Sequence, residues 1–176
     1  IVNVQVVPNE GAYVTVSPLT LVDPNSNGIA EAGETVSMNL TFSNVGVLAA
    51  TNLTATLSTT CDYVTLLTST ATVPNIPASG NVTVNNIFSL QISTSIPDQM
   101  EVPLVITISD GTNQWVAERS FTVNAPNLAF GQPVLFDTNG NGFLEPGENV
   151  SITLDVSNTG HMPAENGLVS IIENNP

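Results

Sequence analysis

The chain has 176 residues, 41% of them hydrophobic, enough apolar material for one buried sandwich core and part of a second. Lys plus Arg comes to 1 residue, Arg119, against 15 Asp plus Glu, a formal net charge of -14. Nucleic acid and anionic lipid both require cationic side chains, so neither is expected as a partner, and no apolar run is long enough to insert as a membrane helix.

The polar complement is mainly Thr, Ser and Asn, which suits strands and turns and predicts an all-β protein. Cys61 is the only cysteine and His161 the only histidine, so there is no intrachain disulfide and no Cys/His zinc set. Cys61 is expected to behave as a small buried hydrophobe. Ile1 opens on an alternating pattern without the charged start of a signal peptide, as in a mature or excised fragment.

In chain order, Val4-Gln5-Val6-Val7-Pro8-Asn9 reads like the stretch ending in Val123 that leads to Pro126-Asn127. Residues 1–10 are therefore expected to be the last strand of a preceding module, or an N-terminal strand. Strands are predicted over 13–22, at Val36, Met38, Leu40 and Phe42, at Leu53, Ala55 and Leu57, and over 63–67 and 82–92. Val102, Leu104, Ile106 and Ile108, and then 115–123, complete the set, with Asp110-Gly111 making a hairpin between these two. About seven short strands with no helical spacing predict an antiparallel two-sheet β-sandwich.

An internal repeat divides the chain. Leu21-Val22-Asp23-Pro24-Asn25-Ser26-Asn27-Gly28 aligns with Leu135-Phe136-Asp137-Thr138-Asn139-Gly140-Asn141-Gly142 at an offset of 137 − 23 = 114. The alignment runs without a gap through Glu31-Ala32-Gly33-Glu34 on Glu145-Pro146-Gly147-Glu148 and Ser43-Asn44-Val45-Gly46 on Ser157-Asn158-Thr159-Gly160, as far as Asn52 on Asn166. Self-similarity at domain length predicts tandem modules: residues 11–124 as the first, 125–127 as a linker stiffened by Pro126, and 128–176 as the first part of a second. At that period the second module would need roughly 65 further residues, and its uncovered strands are expected to favour self-association through unpaired edges.

Six of the 15 acidic residues fall in the two repeated loops. Asp23, Asn25, Asn27, Ile29, Glu31 and Glu34 stand at positions 1, 3, 5, 7, 9 and 12, with Gly28 at 6; Asp137, Asn139, Asn141, Phe143, Glu145 and Glu148 repeat the set around Gly142. This is the spacing of a calcium loop of the EF-hand type. Ca2+ takes six to eight oxygens, here offered by alternating side chains on a tight turn, by the main-chain carbonyl at position 7, and by a closing carboxylate. One Ca2+ per repeat is expected, with the Ile29 and Phe143 side chains free to pack on the core. The competing reading is a pair of polar β-turns, since Asp, Asn and Gly are common turn residues. With strands as flanks, the loop is expected to clamp rather than to open as a sensor.

No catalytic constellation is found. His161, the one histidine base, occupies a turn position whose repeat counterpart is Val47, and the pairs Glu31/Glu34 and Glu145/Glu148 are already accounted for by the loops.

The segments Leu40-Thr41-Phe42-Ser43-Asn44-Val45-Gly46 and Ala50-Thr51-Asn52-Leu53, with the partner stretch 152–160, carry a resemblance. The chain resembles bacterial immunoglobulin-like modules of the CARDB type, cell-adhesion-related domains, especially those beside gingipain-like peptidases in large secreted proteins. The resemblance covers the first module and the start of the second. It implies a secreted or surface-attached spacer or adhesion module with an unknown protein or surface partner, or a non-catalytic accessory domain of a secreted peptidase. The near absence of Lys and Arg would suit life beside a protease that cuts after basic residues. A carbohydrate-binding module is the weaker alternative, because aromatics are only 5% of the chain and lie mostly at core-parity positions.

Overall fold

The structure, a computed structural model, describes residues 10–172. The first ten positions, read above as a strand of a preceding module, lie outside the described residues except for Glu10. Every regular element among the described residues is a β-strand, and no helix is long and apolar enough to cross a membrane.

Ten strands build a β-sandwich. One sheet holds β1 (Val14–Val16), β4 (Thr35–Asn44), β8 (Asn81–Ile92) and β6 (Val64–Thr68) in that order, with β2 (Thr20–Val22) also on β4. The other runs β3 (Ala30–Glu31), β10 (Gln114–Asn124), β9 (Met100–Ser109), β5 (Leu53–Ser58) and β7 (Thr70–Val73). The alternating residues do what their period requires. Val36, Met38, Leu40 and Phe42 of β4 face Leu53, Ala55 and Leu57 of β5 and Val102, Leu104, Ile106 and Ile108 of β9, all buried in one cluster. Cys61 lies in that cluster as a free, buried thiol.

Several details depart from the sequence pattern, each for a local reason. The run 13–22 is broken at Pro18, which cannot donate to a ladder, so β1 and β2 pair separately with β4. In β8 the register against β4 shifts between Met38 and Leu40, whose partners are Phe88 and Val84. Asn86 sits at this bulge with φ 51; its N–H donates to Asn39 Oδ1 and its own Oδ1 accepts from Ser37 Oγ. The strands of the sandwich pair antiparallel, as expected, with one exception among the described residues. β3 lies parallel to β10, with Val123 opposite Ala30 and Asn124 opposite Glu31. The hairpin at Asp110 forms as expected, with the Asp110 N–H donating to Asn113 O and Gly111 at φ 90.

Beyond Ala125 four short strands form two separate pairs. β11 (Leu128–Phe130) pairs with β14 (Val156–Asn158), and β12 (Val134–Asp137) with β13 (Val150–Thr153). Their registers match those of the first unit at the repeat offset: Leu128 opposite Asn158 answers to Val14 opposite Asn44, and Leu135 opposite Ile152 to Leu21 opposite Met38. Burial does not match. Val16 and Phe42 are 7% and 0% exposed, whereas their counterparts Phe130 and Val156 are 56% and 45% exposed. The opposing sheet that covers the first pair has no counterpart among the described residues of 128–172.

Candidate metal centre

Loop one starts where β2 ends and finishes where β4 begins, and on the way it crosses from one sheet to the other through β3. Asp23, the residue after β2, is buried. Its two carboxylate oxygens accept from the main-chain N–H groups of Asn27 (3.0 Å) and Gly28 (2.8 Å), which folds the turn around them. Asn25 Oδ1 accepts from Asn27 N at 2.9 Å, and Asn27 Oδ1 accepts from Ile29 N at 2.7 Å. Gly28 has φ 78, a left-handed conformation that costs an L side chain about 1–2 kcal/mol.

The two glutamates converge. Asn25 Nδ2 donates to Glu31 Oε2 at 2.7 Å and to Glu34 Oε1 at 3.0 Å, so one amide nitrogen lies between two carboxylates. Glu34 Oε2 also accepts from Glu31 N at 3.1 Å. Burial pushes the Glu34 carboxyl above the ordinary carboxylate range; the Glu31 N–H opposes this, and the charges of Glu31 and Asp23 add to the rise.

Loop two repeats the wiring. Asp137 accepts from Gly140 N and, at 2.6 Å, from Gly142 N; Asn139 Oδ1 accepts from Asn141 N at 2.9 Å, and Asn141 Oδ1 from Phe143 N at 2.7 Å. Asn139 Nδ2 donates to Glu145 Oε2 at 3.1 Å, and Glu148 Oε2 accepts from Glu145 N at 3.2 Å. The positive-φ residues recur in step, Ser26 with Gly140, Gly28 with Gly142 and Gly33 with Gly147. Loop two departs in detail: Asp137 takes the N–H of Gly140, the counterpart of Ser26, where Asp23 takes that of Asn27; Asn139 reaches Glu145 but makes no counterpart of the Asn25–Glu34 bond; and Asn141 Nδ2 also reaches Glu145 Oε2, at 3.5 Å.

The donor set consists of hard oxygens from carboxylates, amides and main chain, which fits a Ca2+-type cation and no soft metal. Among the described residues no three His, Cys, Asp or Glu side chains stand gathered as a ready cation cage. Each loop is instead closed on itself by the Asn25 or Asn139 amide, which a cation would have to displace from the glutamates. The Ile29 and Phe143 side chains do not pack on the core as expected; they are 43% and 73% exposed, because the turn directs them outward.

Two further nodes escaped the sequence reading. Asn44 is buried at the end of β4, where its Oδ1 accepts from Tyr13 N and Gly46 N and its Nδ2 donates to Leu48 O, Ile76 O and Pro77 O. The signal was present, since Asn44 continues the inward parity of Leu40 and Phe42. Asn158 does the same for Asn127 N, Gly160 N and Met162 O. The second node is Asp98, in the loop before β9. Its carboxylate accepts from Ala125 N (2.9 Å) and His161 N (3.1 Å) and pairs with His161 Nδ1 at 2.7 Å. Those hydrogen bonds, led by the one from Ala125, hold the Asp98 carboxyl down at about 2.

Compared with protein-family models and with curated proteins, the chain matches none.

Proposed function

We propose that this chain is part of a calcium-stabilised, extracellular array of immunoglobulin-like modules, serving as a structural spacer or adhesion segment of a large secreted or surface protein. The observation that carries the reading is the pair of acidic loops. Two stretches 114 residues apart place the same residue types at every side-chain ligand position and share hydrogen bonds at corresponding places. In loop one the charges of Glu31 and Asp23 bear on Glu34, a repulsion that serves no purpose in a polar turn and that a bound hard cation relieves.

In loop one Asp23, Asn25, Asn27, the Ile29 carbonyl, Glu31 and Glu34 would hold the ion; in loop two Asp137, Asn139, Asn141, the Phe143 carbonyl, Glu145 and Glu148 would do so. The ion would neutralise clustered carboxylates and fix the point where the chain changes sheets. At millimolar calcium and an affinity of about 0.1–1 mM, typical of extracellular modules, binding adds roughly 0.5–1.5 kcal/mol per site. For a chain of this size that is a rise in melting temperature of about 1–6 °C. Thermal unfolding in excess EDTA and then in millimolar calcium, with calorimetric titration of calcium into the stripped chain, is expected to show that rise and about two sites. Absence of both heat and shift reduces the loops to turns.

A further inference from the structure

The position of loop one within the sandwich gives it a second consequence. Its β3 segment lies parallel to the last two residues of β10, with Glu31 opposite Asn124, and Ala32 N donates to Asn124 O at 2.9 Å. Asn124 is the last residue of β10, and the connection 125–127 begins immediately after it. The acidic loop therefore holds the point from which the chain leaves the sandwich.

That exit is tightly built. Asp98 grips Ala125 N and both the main chain and the ring of His161. Ala125 O accepts from His161 N and Met162 N, and Asn127 O accepts from Thr159 N. Gly160 lies so close to Ala125 O and Asn127 N that a Cβ there would collide with both. Beside this lacing a cleft opens between Glu31, Ala32 and Thr94 on the sandwich and Pro126, Met162 and Glu165 beyond it. Two carboxylates, one of them a member of the acidic loop, thus line the same cleft. Like charges across a cleft oppose its closure, and a cation held by Glu31 removes that opposition.

We infer that loop one acts as a cation-controlled stiffener of the joint between the sandwich and the segment 128–172. With a divalent cation in the loop, β3 pins the end of β10, the Glu31 charge is neutralised, and the Asp98 latch holds a single joint angle. Without the cation, β3 loosens, the exit point is free to swing, and the latch alone restrains a range of angles. The inference rests on the calcium reading of loop one but adds to it, since a loop that merely stabilised the sandwich would leave the joint angle unchanged.

The test uses the whole chain with Cys61→Ala and two label sites, Thr54→Cys and Ser151→Cys, both exposed strand positions on either side of the joint. Nitroxide distance distributions are recorded in EDTA and in millimolar calcium, with calorimetric titration of calcium on the same samples. Calcium is expected to remove the broad component of the distribution in the labelled parent and in Glu148→Gln, which disables loop two. Glu34→Gln, which disables loop one, is expected to keep the broad component. Asp98→Asn is expected to bind calcium with unchanged heat and yet stay broad. If the heat shows loop one filled while the distribution does not change, or if Glu34→Gln narrows as the parent does, the joint inference falls and the calcium reading stands. If no heat is seen at all, both fall.

Discussion

Replacing Asn44 with alanine tests the packing logic of the sandwich most directly. The side chain is 1% exposed, and its amide completes five hydrogen bonds that join the entrance to β1, the turn after β4 and the segment before Gly80. Oδ1 has two lone pairs and uses both, on Tyr13 N and Gly46 N. Nδ2 has two protons for three carbonyls, so about four bonds are made well at once. At roughly 1 kcal/mol net for each, with a further penalty wherever a main-chain group is left dry, Asn44→Ala should cost about 4–6 kcal/mol. Asn158→Ala removes the counterpart amide from an exposed setting with three partners, and water can take over each of them. Its cost should not exceed about 1 kcal/mol. Urea unfolding followed by the fluorescence of Trp115, which lies in the first core, measures both. A loss below about 1.5 kcal/mol for Asn44→Ala, or equal losses for the two variants, would refute the claim that burial gives this node its strength.

Two acid-dependent effects follow from the carboxylates. Because the Glu34 carboxyl is raised in the folded chain, its ionisation opposes folding at neutral pH, and that opposition fades as pH falls through the raised value towards the ordinary one. Calcium-free protein should therefore gain stability over that range, while calcium binding weakens as the ligand protonates; Glu34→Gln should remove this part of the gain, read as melting temperature against pH in EDTA. Asp98 has the opposite sign. Its carboxyl is held at about 2, so its contribution is complete above the ordinary aspartate range and is lost only as pH falls through about 2. The carboxyl carbon resonance of Asp98 should stay in its ionised position down to about pH 3, and movement at pH 4 would show the latch to be open.

Most of the sandwich was legible because half-buried strands write their period into the chain. Val36, Met38, Leu40 and Phe42, and Val102, Leu104, Ile106 and Ile108, fall at every second position and are all buried, although Val105 interrupts the second pattern from the outer face, where it is half-buried. What stayed hidden was local or distant. β3 has two residues inside an acidic loop, too few to show a period, and β7 (Thr-Ala-Thr-Val) reads as the approach to Pro74. Asn86 shifts the parity of β8 by a bulge that its composition does not announce. The acidic loops were visible because their ligand types and spacing repeat, and the structure adds how each loop is wired and where it sits. The Asp98–His161 pair spans 63 positions with no local mark, and the turn position read for His161 gave no hint of a partner.

The parallel lie of β3 on β10 also has a mechanical meaning. A pull on the chain beyond Ala125 runs along the axis of β10, and the bonds to β3 and β9 lie across that axis. They are loaded together in shear instead of being peeled apart one at a time. Rupture then depends on the rate of a collective opening rather than on a single weak bond. In a chain of such units, the acidic loop would sit where tension enters the sandwich, fastening both sheets at the point that must yield last.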